Sequence, residues 1–229
     1  MVLRKSAISF FTSKPLLQEG RKYSRICSYV PNGVDTEIFL KRRYRTPESI
    51  TNVTGAVLGV VGTLDERIDL DLINYMLEAI QEVILLLVGP IITKMGNLPT
   101  HPRVIFAGKR EYGEIPIFIE RFHVALIPYR INKVTNAVYP VKLHEYLILG
   151  KPVVSTNLPE VRPFSNVVLI AESKEEFVRH VVKALEDKDD DKRRERIEVA
   201  KRNSWDERVI RIYKEIKTYL DTRSKDIDC

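Results

Sequence analysis

Cysteine is almost missing from this chain of 229 residues: Cys27 and Cys229 are its only two, the second at the very end. That excludes a disulfide framework and a cysteine-ligated metal cluster, and it suits a reducing compartment. Histidine is also scarce. His101, His123, His144 and His180 show no ligand spacing, so no metal site is expected. No run approaches the roughly eighteen apolar residues of a membrane-spanning helix. The opening stretch, MVLRKSAISFFTSKPLL, has a basic pair at Arg4-Lys5 and a short apolar patch. Ser9, Thr12, Ser13 and Lys14 interrupt that patch, and no signal peptide is expected. Nucleic-acid motifs are missing as well. The basic runs Lys41-Arg42-Arg43-Tyr44-Arg45 and Lys192-Arg193-Arg194 come without a helix-turn-helix, RNA-recognition or zinc-finger pattern. They read as solvated faces, and nucleic acid is not an expected partner.

What is present describes a globular α/β chain. Hydrophobic residues make up 44% and charged residues 30%, enough to bury about one core, or one and a half domains. The net charge of +6 suits phosphorylated substrates or an anionic membrane surface. Apolar runs and amphipathic periods alternate. Strands are expected at 7–11, 26–30, 56–61, 84–88, 104–107, 124–127, 153–155 and 167–170. Helices are expected at 16–22, 68–81, 115–122, 140–149, 174–186, 191–203 and 205–220. Strands spaced by helices imply βαβ units, a Rossmann-like parallel sheet and a ligand crevice beyond the strands' carboxyl ends.

The segment from Leu126 to Ser155, LIPYRINKVTNAVYPVKLHEYLILGKPVVS, is the most informative. It reads as strand, polar loop, short helix, glycine stop, strand. Pro140 suits a first helical position, and Gly150 suits the left-handed residue just past a helix end. Lys142 and Glu145, three apart, share a face. A helix start after a loop favours anions. A lysine there adds a charge for phosphate, and a glutamate there can hold a sugar diol. The alternative is a plain ion pair between the two. Upstream, the apolar run Ala56-Val57-Leu58-Gly59-Val60-Val61 ends at Gly62-Thr63. Asp65-Glu66-Arg67 and a helical period follow: the strand, glycine turn and helix of a phosphate cradle. Arg67 can pair with Asp65, Glu66 or Asp69, or with a ligand. Pro31-Asn32-Gly33 is a turn signal, with positive φ expected at Gly33. Ser204 and Glu207 form a capping-box pattern.

Pro140, Lys142, Glu145, Tyr146, Gly150, Lys151, Pro152, Val153 and Val154 together resemble the donor-binding motif of the retaining GT-B glycosyltransferases, group 1 or family 4. Val30 to Asp35, with Phe39, resembles that family's interdomain signature. Ser204 to Arg208 resembles its C-terminal crossover helix. The family's first donor glutamate falls on Ala137, which has no carboxylate; Asn136 or Thr135 are the substitutes. The resemblance covers roughly residues 5 to 220 and implies the C-terminal half of a GT-B fold. Residues 1–45 would be a remnant of the N-terminal domain plus linker, 46–203 the nucleotide-sugar domain, and 204–229 a helix packing back on the N-terminal domain.

The resemblance also implies roles. Arg67 and Lys142 would neutralise the leaving diphosphate. Gly62, Thr63, Arg110, Arg130, Asn136 and Glu145 would bind substrate, Glu145 by accepting the ribose hydroxyls. The donor would be a nucleotide-diphosphate sugar, with no cofactor and no metal required, and the acceptor is unnamed. Polysaccharide biosynthesis in the cytoplasm, at the inner face of the membrane if anywhere on it, is the implied setting. The acceptor domain would come from elsewhere, including a separate N-terminal-half subunit. Two alternatives remain: a GT-B-type nucleotide-sugar epimerase, which should carry a dedicated acid/base group, and a non-catalytic sugar-nucleotide-binding or scaffold subunit.

Overall fold

The computed structural model describes residues 2–41, 50, 54–92 and 101–227, with side chains through residue 222. The basic residues 42–45, the expected domain boundary at 45/46 and Cys229 lie outside the described residues.

Six strands form the main sheet: β3 (Ala56–Val61), β4 (Val83–Val88), β5 (Val104–Gly108), β6 (Val124–Ile127), β7 (Val153–Thr156) and β8 (Leu169–Ala171). They lie in the order β5-β4-β3-β6-β7-β8, and every pairing is parallel. The chain winds outward from β3 in one direction, then returns to β6 and winds in the other. The order therefore reverses between β3 and β6, the place where an open α/β sheet holds its ligand. The run of Val and Leu in β3 and β4 follows from burial on both faces.

Alternation along β3 sorts the core into two layers. Val57 and Val61 face one cluster with Phe118, Phe122, Leu143 and Leu147. Leu58 and Val60 face the other, with Leu72, Met76, Phe177 and Val181. The first layer is covered by α4 (Ile115–Glu120), α5 (Lys142–Ile148) and α7 (Asp190–Lys201). The second is covered by α3 (Leu70–Ala79) and α6 (Lys174–Leu185). Gly59 stands where a Cβ would lie 2.2 Å from the Phe122 ring, so that ring seats directly on the strand.

A two-stranded parallel sheet stands apart: β1 (Ser9–Phe11) and β2 (Cys27–Tyr29), joined by α1 (Lys14–Gly20). Glu160, 2% exposed, ties it to the main body. Its carboxylate accepts the Lys14 backbone N–H at 2.6 Å and the Tyr29 hydroxyl at 2.7 Å. A buried carboxylate is tolerable because both oxygens are satisfied.

Three local features differ from expectation. Gly33 does not adopt positive φ. Its role is close approach: a Cβ there would lie 2.6 Å from the Trp205 backbone nitrogen. Val34 bonds across to Asn203 and Trp205 through its backbone, joining the segment to the start of α8 (Trp205–Ile227). A short helix, α2 (Thr36–Leu40), follows where none was expected; the Asp35 carboxylate caps it by accepting the Ile38 N–H at 2.9 Å. Helix α5 begins at Lys142 rather than Pro140. Pro140 and Val141 form the preceding turn, with the Pro140 carbonyl accepting the Leu143 N–H at 3.1 Å.

Candidate functional site

Gly62 follows the end of β3 with φ +138°. Gly89 follows the end of β4 with φ +141°, and a Cβ on it would lie 1.9 Å from the Gly62 carbonyl oxygen. The two strand ends thus meet backbone to backbone, which only glycine permits. Helix α5 is held against them by Tyr146. Its fully buried ring places the hydroxyl to accept the Val61 backbone N–H at 2.8 Å. Tyr146→Phe keeps the shape but strands that buried N–H. The variant is expected to lose about 2 kcal/mol of stability, measurable by chemical denaturation; an unchanged midpoint would refute the assignment.

This anchoring puts Lys142 beside Gly62. A Cβ added at Gly62 would lie 3.8 Å from the Lys142 Cε. The Lys142 ammonium donates to Glu145 at 2.8 Å and 3.1 Å. Glu145 is 0% exposed. Burial raises its pKa, and Lys142 and Tyr112 pull it back. The Tyr112 hydroxyl donates to Glu145 at 3.4 Å, a long contact, and the Lys142 ammonium stands 5.8 Å from the Tyr112 ring centre. Gly62, Tyr112, Lys142 and Glu145 therefore form one group. The ion-pair reading of Lys142 and Glu145 is the geometry observed. His144, between them in sequence, turns the other way into the core against Tyr139 and Phe164. Burial pushes its pKa down to about 3, so it is a neutral packing residue.

Arg67 and Arg130 form a second group. The Arg67 guanidinium holds Asp65 through contacts of 2.6 to 3.0 Å and stands 5.8 Å from the Tyr129 ring centre. The intramolecular partner is thus Asp65. The Arg130 backbone N–H donates to the Arg67 carbonyl at 2.8 Å, and the Asp69 N–H to the Pro128 carbonyl at 2.8 Å. These bonds make a short antiparallel ribbon between the loops after β3 and β6. The Arg130 side chain reaches outward, 3.7 Å from Asp71; at that exposure the pair is worth little. Arg110, after β5, lies on the Phe118 ring with 5.1 Å to its centre. Thr63 and Asn136 are half-buried loop residues, Thr63 beside Gly62 and Asn136 in the turn Thr135–Ala137. Lys142 and Glu145 share a contact, Arg67 and Arg130 meet through the ribbon, and Tyr129 feels the charges of both Arg67 and Glu145.

Tyr146 stands in the donor-binding motif and Gly89 ends an apolar strand, so both are visible in the sequence. The hydrogen bonds of Tyr146 to Val61 and of Tyr112 to Glu145 are not, because these partners lie 85 and 33 residues away.

Residues 55–187 match the family model described as glycosyl transferases group 1. The chain is also 30% identical over 186 residues to TuaH of Bacillus subtilis (strain 168), a protein named for glycosyl transfer in teichuronic acid biosynthesis. The chain belongs to the group 1 glycosyltransferase family. The alignment with TuaH spans 77% of this chain and 47% of TuaH, so the chain spans about half the length of that relative. Solved structures with the same fold include sucrose-phosphate synthase from Thermosynechococcus elongatus, with a TM-score of 0.73 and 15% identity, over 96% of this chain and 60% of that one. HepE of Anabaena, in complex with UDP and glucose, gives a TM-score of 0.68 and 16% identity, over 94% of this chain and 63% of its own. The group 1 chain accordingly has the α/β architecture of the GT-B glycosyltransferases. Among the described residues no helix is long and apolar enough to cross a membrane.

Proposed function

We propose that this chain is the donor-binding half of a glycosyltransferase, gripping a nucleotide-diphosphate sugar and working with an acceptor-binding partner domain. The observation that carries it is the Lys142 ammonium, held by buried Glu145 next to Gly62 at the reversal point of the sheet. Glu145 fixes the ammonium where it can meet the diphosphate. A ribose hydroxyl replaces the long Tyr112 contact on Glu145. As the glycosyl bond breaks, charge grows on the diphosphate, and a prepositioned cation lowers that barrier. No metal or cofactor is needed on this reading, and the anomeric configuration is retained. Arg67 contributes if it exchanges Asp65 for phosphate; Arg110, Arg130, Thr63 and Asn136 surround the donor.

The partner domain would sit over the β1–β2 sheet and α8, either on the same polypeptide or as a separate subunit. The HepE complex, with UDP and glucose, supports UDP-glucose as first probe. Placement in the cytoplasm, at the inner membrane face, suits such a donor. Calorimetric titration with UDP-glucose and GDP-mannose tests the reading. Wild type is expected to bind one of them, and Glu145→Ala to bind it about thirtyfold more weakly, as for loss of a charge-assisted hydrogen bond. Equal binding by both proteins, or none by wild type, would overturn it.

A further inference from the structure

A cleft of about 510 Å³, with Asp69 and Tyr129 of the ribbon in its lining, opens beyond the carboxyl ends of β6, β7 and β8. Tyr129, Ile131 and Asn136 form one wall; Asn157, Arg162 and Ser173 form the other. Thr156 lies at the base, its hydroxyl donating to the Tyr129 carbonyl at 2.8 Å. The loop of residues 157–162 is ordered by one relay of side chains. The Asn157 amide nitrogen donates to Glu172 at 2.9 Å, and its oxygen accepts from the Arg162 Nε at 2.7 Å. Donor and acceptor groups therefore alternate along this wall. Across from it, the Asn136 side chain makes no hydrogen bond among the described residues. Ile131, 54% exposed, supplies an apolar surface beside the Tyr129 ring.

We propose that this cleft is a saccharide subsite, holding one neutral pyranose ring of the glycosyl acceptor. The inference rests on the donor reading above and assigns the neighbouring chamber. Sugar hydroxyls both donate and accept, so they match an amide–carboxylate–guanidinium row better than any single-sign ligand does. The C–H face of the ring packs on Tyr129 and Ile131. Phosphate is disfavoured. Asp69 and Glu172 in the lining balance Arg162 and Lys174, and the Asp69 carboxylate already caps α3. The cleft adjoins the donor chamber through Asn136 and through Tyr129, on which Arg67 stands.

Amide NMR on the full chain tests this with four probes: methyl glucoside, UDP, GDP and inorganic phosphate. Methyl glucoside is expected to shift the amides of Asn136, Asn157, Glu172 and Ser173 with saturation in about the millimolar range, as for any ligand this small. UDP or GDP should instead shift Gly62, Lys142 and Glu145. Arg162→Met, an exposed change, should weaken the glucoside about fivefold, and Asn157→Leu should abolish its shifts, each by removing a polar partner of the sugar. Both variants should keep the nucleotide response. The proposal is overturned if the glucoside leaves the cleft amides unmoved, moves the Gly62 group instead, or acts equally on wild type and both variants. It is also overturned if phosphate alone shifts the cleft. Failure of UDP and GDP alike to move the Gly62 group would sink the donor reading separately.

Discussion

Gly89→Ala is expected to destabilise the chain by about 4 kcal/mol, the sum of a backbone cost and a packing cost. The backbone at Gly89 has φ +141°, a region that costs an L-residue roughly 1–3 kcal/mol. The new Cβ would also lie 1.9 Å from the Gly62 carbonyl oxygen and 2.7 Å from its carbon. Both neighbours are backbone, so relief requires moving the ends of β3 and β4 apart. Overpacking of this kind costs about 1–3 kcal/mol more. The Gly62 N–H to Val88 and Gly89 N–H to Gly108 bonds, each 2.9 Å, lie directly in the path of that movement. Gly113→Ala is the control. It has open space around the added carbon and no positive φ, and should change stability by no more than about 0.5 kcal/mol. Denaturant midpoints at constant slope decide it. A Gly89→Ala protein as stable as Gly113→Ala would mean the two strand ends are not in contact.

Lys142→Met should cost about 3 kcal/mol for a different reason: the buried Glu145 carboxylate would lose its counter-ion, and an uncompensated interior charge is strongly destabilising. The lysine side chain is 22% exposed, which places the cost at the low end of the usual range. The pH dependence gives a signature. Burial already raises the Glu145 pKa, and Lys142 opposes that rise. Without the lysine, the native state holds a proton that the unfolded state releases above about pH 4.3. Native stability of the variant should therefore fall relative to wild type as pH rises from that point, until Glu145 ionises in the folded protein too. Lys142→Met with Glu145→Gln removes both charges and should recover most of the stability while leaving binding of the proposed nucleotide sugar lost. Recovery of binding along with stability would show that the pair is only structural. A single variant with wild-type stability at every pH would show that Glu145 is not buried as described.

Sequence pattern is a good guide to the sheet and a poorer one to the site. Each strand of the main sheet is readable because burial on both faces makes β3, β4 and β6 almost wholly apolar. Helix boundaries shift by a few residues where caps decide them: Ser13, two residues before Pro15, starts α1 earlier than the apolar period suggests. Helix α2 escapes notice because five residues are too short to show periodicity. Gly150 is legible, taking φ +70° where a helix stop is expected. Lys142 and Glu145 are legible as neighbours because three-residue spacing on a helix fixes them. Arg67 and Arg130 are not, because the ribbon joining their loops is a backbone feature with no side-chain signal. Tyr112 meets Phe39 edge-on, with ring centres 5.6 Å apart; no local pattern announces that contact.

The ribbon has an effect on what this surface can become. Two backbone hydrogen bonds tie the loops after β3 and β6 together, so the two loops hold one fixed spacing. On the proposed reading of the cleft, changes to Asn157 or Ile131 would retune the recipient of the sugar without touching the nucleotide. A lineage built this way would be free to keep one fuel and diversify its products.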